Sequence, residues 1–174
     1  MSEGPTSSRR GDEGFTMVEL MVVVLILGVL MTIALPVFLG ARERAENRAS
    51  QADLRYALTA ARSIQLDAND YSNANELATG LVTVENTLCY VSGATPSVAS
   101  GAACVSGTGQ ASVSVEGTIA AFGAARLSAS NTCFVIYDTG GVIHFGSTTP
   151  ANCTADWAIT PGNVTATTLA SGGW

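Results

Sequence analysis

The sequence predicts an α+β chain: a long N-terminal membrane-spanning α-helix packed on a small antiparallel β-sheet. Three observations carry this. From Leu20 to Ala41, 22 residues contain no charge. At about 1.5 Å per residue such a helix spans roughly 33 Å, enough for a bilayer core. From Arg42 to about Asp67 the chain then holds neither Gly nor Pro and is rich in Ala, Arg, Glu, Gln and Leu, so the helix is expected to continue in water. Beyond that, β-rich runs separated by Gly-containing turns take over, the clearest being CFVIYD-TGG-VIHFG, which reads as a hairpin.

The membrane segment opens at Phe15, behind the polar stretch MSEGPTSSRRGDEG, which lacks apolar periodicity and reads as a leader over residues 1–14. A secretory signal peptide would have a basic start, a shorter apolar run and a small-residue cleavage site after that run. Here the run continues through Pro36 and Gly40 into charged helical sequence, and no such site follows it. The span, residues 15–41, is therefore expected to be kept. Pro36 removes a backbone donor and is expected to kink the helix, while Gly28 allows a neighbouring backbone to come close. Glu19 stands out, because an unpaired carboxylate near a bilayer costs on the order of a few kcal/mol.

Residues 42–68 form the water-exposed half of the helix. At 100° per residue, Ala41, Ala45, Ala49, Ala52 and Tyr56 share one face, and Leu54, Ala57, Leu58 and Ala61 lie roughly opposite. Arg44, Arg48, Arg55 and Arg62 form a third stripe. Apolar surface on two sides implies burial on two sides: one against the chain's own domain, the other against a further partner.

Residues 69–174 read as a globular β domain. NDYSNANELATG is turn-rich, a short strand is expected near Leu88 to Val91, ASVSVEG alternates as a strand, and TIAAFGAARLSAS offers another. The tail from Thr148 has little periodicity. Residues 63–174 carry one Arg and seven acids, a net charge of −6, which repels phosphate backbones and argues against direct nucleic-acid binding. All four cysteines lie in this part, with no C-x-x-C pair and a single histidine, His144, so zinc spacing is absent and no metal or cofactor is expected. An even number of cysteines beyond a membrane span reads as two disulfides in an oxidising space. Of three connectivities the sequential one, Cys89–Cys104 with Cys133–Cys153, closes two compact segments.

GFTMVEL followed by an apolar helix resembles the N-terminus of type IV prepilins. That pattern is a glycine, a methylated phenylalanine, and glutamate as fifth residue of the mature chain, and Gly14, Phe15 and Glu19 match it in register. Gly28 and Pro36 fall where such helices commonly carry glycine and proline. The resemblance covers about residues 14–50. Such leaders often place a basic residue before the glycine; here Asp12 and Glu13 stand there, with Arg9 and Arg10 further back.

The resemblance implies a structural subunit rather than an enzyme. It would be made as a precursor in a bacterial inner membrane with its N-terminus cytoplasmic. A prepilin peptidase would cut it between Gly14 and Phe15 and N-methylate Phe15. It would then polymerise with copies of itself, an assembly platform and minor pilins into an extracellular filament. Glu19, Gly28 and Pro36 would be assembly residues, and the arginine stripe would face neighbouring subunits. Cleavage frees a basic amine on Phe15 that Glu19 of another subunit can pair with, favouring one axial offset. The alternative is a type II secretion pseudopilin; a distinct class is a monomeric bitopic protein with an extracellular binding domain.

Weaker signals read as structure. Asp138-Thr-Gly occurs once, whereas aspartic-protease chemistry needs two converging carboxylates, so it reads as a turn. Asp67 and Asp70 lack the remaining ligands of a calcium loop. His144 reads as a strand residue, and the sequons at Asn152 and Asn163 are short enough to arise by chance.

Overall fold

A computed structural model describes residues 14–68, 71, 74–97, 104, 112–160 and 169–170. Residues 1–13 of the leader, Asp70, the Asn163 sequon and most of the 93–111 segment lie outside the described residues. Helix α1 runs Met17–Ala68 with Pro36 inside it. It is followed by α2 (Ala74–Val84), β1 (Cys89–Ser92), β2 (Ser112–Gly117), β3 (Ala121–Leu127), β4 (Cys133–Thr139), β5 (Val142–Thr148), a 3-10 turn (Pro150–Asn152), α3 (Ala155–Ile159) and β6 (Leu169–Ala170). The chain divides into two compact units, residues 1–41 and 42–174.

In the first unit the apolar side chains of α1 point outward. Those between Leu20 and Leu39 are about half to two-thirds exposed, and this is the one described helix long and apolar enough to cross a membrane. Such a surface needs lipid or other helices around it. Pro36 has no N–H to give to the carbonyl of Thr32, and the Thr32 hydroxyl in turn donates to the Gly28 carbonyl at 2.9 Å.

In the second unit the six strands follow chain order, β1 to β6, in one sheet. The β2–β3, β3–β4, β4–β5 and β5–β6 pairs are antiparallel. The β1–β2 pair is parallel, with Cys89 opposite Ser112, which departs from the antiparallel expectation at that edge. A parallel pair needs a crossover of a dozen or more residues, and the 93–111 segment, tethered by the Cys89–Cys104 disulfide, is long enough to make it.

Leu54, Ala57, Leu58 and Ala61 of α1 are buried against Val113, Val115, Phe122, Ala124, Phe134 and Ile136 of the sheet. Ala78 and Leu81 of α2 join the same core. That helix corrects the turn-rich reading of residues 69–80. Asn and Gly disfavour helix locally, but Ala78 and Leu81 gain burial that outweighs the propensity. Gly80 helps, since a Cβ there would sit 3.2 Å from Cδ1 of Ile64. The other face of the sheet is covered by α3: Ala125, Cys133 and Val135 pack on Ala158 and Cys153, with Tyr137 and Trp157 partly buried beside them. Both faces being covered explains why β3 is buried almost throughout and does not alternate.

The β4–β5 hairpin closes with Gly140 at φ +57° and Gly141 at φ +92°, both in the left-handed region that a two-residue turn of this hand requires. Asp138 stabilises the turn by accepting a hydrogen bond from the Gly141 N–H at 3.1 Å. The cysteines pair as Cys89–Cys104 and Cys133–Cys153.

Three polar contacts tie α1 to the sheet. Asn47 Oδ1 accepts from the hydroxyls of Ser128 and Ser130. Asp53 pairs with Arg126 at 2.8 Å, and Arg62 with Asp138 at 2.9 Å. The small side chains of Ala57, Ala60 and Ala61 discriminate weakly between helix registers. The three polar contacts do so strongly, because a one-turn slip would leave Arg126 and Asp138, both buried, without counter-ions.

Candidate functional site

The residues that the sequence singles out, Gly14, Phe15 and Glu19, stand at the start of α1. Gly14, Phe15 and Thr16 are exposed residues ahead of the helix, and Phe15 is 85% exposed. Among the described residues, a Cβ built on Gly14 would meet nothing within 4 Å.

Thr16 and Glu19 bond reciprocally. The Thr16 N–H and hydroxyl donate to Glu19 Oε2 at 3.0 and 2.8 Å, and the Glu19 N–H donates to Thr16 Oγ1 at 3.2 Å. This is a capping box, in which a Thr at the helix cap and a Glu three residues on satisfy each other's orphan donors. Reading Glu19 only as a partner for a neighbouring amine missed this second role, although Thr-x-x-Glu before an apolar run was its signal. The box offsets part of the cost of an acid at a membrane edge while the chain is alone. It also holds the carboxylate one residue from the nitrogen that cleavage after Gly14 would free.

Gly28 and Pro36 lie on the exposed apolar surface, and a Cβ on Gly28 would meet nothing within 4 Å. In the second unit the two-faced reading of the helix is resolved residue by residue. The Leu54 face is buried, whereas Ala45 and Ala49 are exposed and Tyr56 is 57% exposed. The arginine stripe divides. Arg62 is held by Asp138, and the Arg55 guanidinium lies 5.8 Å from the centroid of the Phe145 ring. Arg44 and Arg48 are exposed and make no salt bridge among the described residues.

Elsewhere, His144 stands on β5 opposite Tyr137, with ring centroids 6.0 Å apart. Asp138 is committed to Arg62 and its turn. Among the described residues no three His, Cys, Asp or Glu side chains converge as metal ligands. Glu116, on β2, is held above its ordinary range by burial first and by the nearby Asp156 carboxylate, against a hydrogen bond from the Gly117 backbone that lowers it.

The described segment thus combines a Gly14–Phe15 junction, an acid at the fifth residue after Gly14, an exposed apolar helix and, further along the chain, a disulfide-bonded α+β unit. Residues 9–35 match the prokaryotic N-terminal methylation motif. Over 70 residues the chain is 36% identical to the type II secretion system core protein G of Pectobacterium carotovorum, covering 40% of this chain and 45% of that protein. It is 37% identical over 67 residues to a type IV major pilin of Myxococcus xanthus, 38% of this chain and 30% of that one. It is 34% identical over 64 residues to a type IV wide pilus major component of Thermus thermophilus, 37% and 49% respectively. The chain thus carries a prokaryotic N-terminal methylation motif and has type IV pilins and type II secretion core protein G as relatives. It spans about half or less of the length of the relatives it matches. No solved structure matches it.

Proposed function

We propose that this chain is the structural subunit of a type IV pilus-like surface filament. It is inserted in the bacterial inner membrane with a cytoplasmic N-terminus, cut between Gly14 and Phe15, N-methylated on Phe15 by a prepilin peptidase, and polymerised by packing of α1. The observation that carries this is the register of the first segment: Gly14 and Phe15 precede, and Glu19 lies in the first turn of, a helix whose apolar side chains from Leu20 to Leu39 are left exposed. Helix packing between copies would bury that surface and bring the new Phe15 amine of one copy to Glu19 of another, in competition with Thr16. An assembly platform and minor subunits are the expected further partners.

Mass spectrometry of the exported protein tests the reading. The mature chain should begin at N-methyl-Phe15. Because the sequence has no lysine, the only amine left after cleavage is that terminus, so amine-reactive labelling reports on it alone. An exported chain retaining Met1 or Ser2 would refute the proposal. The likeness to core protein G favours one second reading, a secretion pseudopilin. Imaging of sheared surface filaments with this chain as main component separates the two.

A further inference from the structure

Among the described residues, Arg44 and Arg48 on one side and Glu116 and Asp156 on the other make no salt bridge. The sequence has eight arginines and no lysine, and Arg9 and Arg10 belong to the leader. Arg42 pairs with Glu46 at 2.8 Å, Arg62 with Asp138, and Arg126 with Asp53, while Arg55 lies over Phe145. Arg44 and Arg48 remain. They are exposed and four residues apart, so they share one face of α1. Glu43 is also exposed but is turned about 100° from Arg44 around the helix.

On the acidic side, Glu46, Asp53 and Asp138 are taken by those arginines, and Glu85 accepts from Thr87. Glu116 and Asp156 are placed together. The Asp156 N–H donates to the Gly93 carbonyl at 3.1 Å, and a Cβ on Gly93 would lie 2.1 Å from Glu116 Oε2, so both residues border Gly93. Neither makes a salt bridge among the described residues, and their like charges oppose each other. A cation placed beside them would offset both the repulsion and the desolvation that disfavour ionised Glu116.

The chain's own Arg44 and Arg48 are on the wrong side to do this. Helix α1 packs on the sheet face that carries Val113 and Val115, and α3 packs on the other, where Ser114 Oγ accepts from the Ala155 N–H at 3.0 Å. The sheet stands between them. We infer that Arg44 and Arg48 of one copy dock against the Glu116–Asp156 edge of a second copy. The inference rests on the filament reading above and adds to it the surfaces that meet. Charge complementarity selects another copy as the occupant: residues 42–62 carry five Arg and three acids, while residues 63–174 carry a net −6.

The test is made in the full-length chain expressed in a pilus-forming bacterium, reading sheared filament against membrane pool. Arg44→Glu with Arg48→Glu should lower that ratio at least fivefold, and Glu116→Gln with Asp156→Arg should do the same. Combining all four should bring it back to within about twofold of the parent. Arg44→Lys with Arg48→Lys, which keeps the charge, should assemble normally. Both arginines are exposed and make no salt bridge among the described residues, so their reversal leaves the fold intact, checked by the two disulfides in the membrane pool. An unchanged ratio in the Arg→Glu pair, or a quadruple variant no better than either pair, overturns the docking while the filament reading stands. A parent chain that forms no filament and keeps its leader overturns the filament reading itself, and the docking with it.

Discussion

Arg126 is the only arginine beyond residue 62, and it lies on β3 with its guanidinium 2.8 Å from Asp53 of α1. Its side chain is 10% exposed and that of Asp53 is 23% exposed, and it also donates to the Leu127 carbonyl at 3.3 Å. Replacing Arg126 with Met keeps much of the apolar stem and leaves Asp53 without a counter-ion. Breaking a fully buried pair by removing one partner costs about 3–5 kcal/mol. Asp53 keeps some contact with water, so the expected loss is about 2–3 kcal/mol, equivalent to roughly 6–12 °C in melting temperature for a domain of this size. Asp53→Leu alone should be as harmful, because it strands the more deeply buried Arg126. The double variant should recover at least half of the summed loss, since two apolar side chains can replace a buried pair with little net change. Near-UV circular dichroism of the detergent-solubilised chain, followed through thermal unfolding, gives the cycle. If Arg126→Met melts within about 1 °C of the parent, or the two losses simply add, the pair does not hold α1 on the sheet.

Three further outcomes follow from single contacts. Gly117→Ala would place a Cβ 1.9 Å from the Tyr71 carbonyl oxygen, a backbone atom that cannot swing away, so a loss of about 1–3 kcal/mol or more is expected in chemical denaturation. Burial and Asp156 raise Glu116 above its ordinary 4.5. Its protonation therefore favours the fold fully below pH 4.5, and that contribution is lost as pH rises through the raised folded value. Glu116→Gln should melt higher than the parent at pH 7 and show a flatter pH profile, and an unchanged profile would refute the assignment. Replacing Cys133 and Cys153 with Ser opens a bridge between residues 20 apart, for which chain entropy gives about 3 kcal/mol, read as a lower denaturant midpoint under non-reducing conditions.

The first segment was legible because its signals are local. A bilayer sets the length of an uncharged run, so the apolar helix over residues 20–41 needs no partner in the fold to be seen, and the Thr16-x-x-Glu19 cap, though it went unread, was local as well. The Asp138–Gly141 turn was readable for the same reason: two adjacent glycines satisfy a backbone requirement that few other residues can. Helix α2 was not readable, because Ala78 and Leu81 become helical through burial against residues of α1 and the sheet that lie far away in sequence. Nor was the parallel β1–β2 edge, since strand direction depends on how the intervening crossover closes rather than on either strand's composition. The arginine stripe shows the division most clearly. Periodicity places Arg44, Arg48, Arg55 and Arg62 on one side of a helix, and that is all that a 3.6-residue repeat contains. Only the packing of α1 on the sheet decides that Arg62 meets Asp138, 76 residues away, and Arg55 meets Phe145, leaving Arg44 and Arg48 in solvent. Charge pairing is set by distance in space, and in this chain that distance exists only once the sheet has formed.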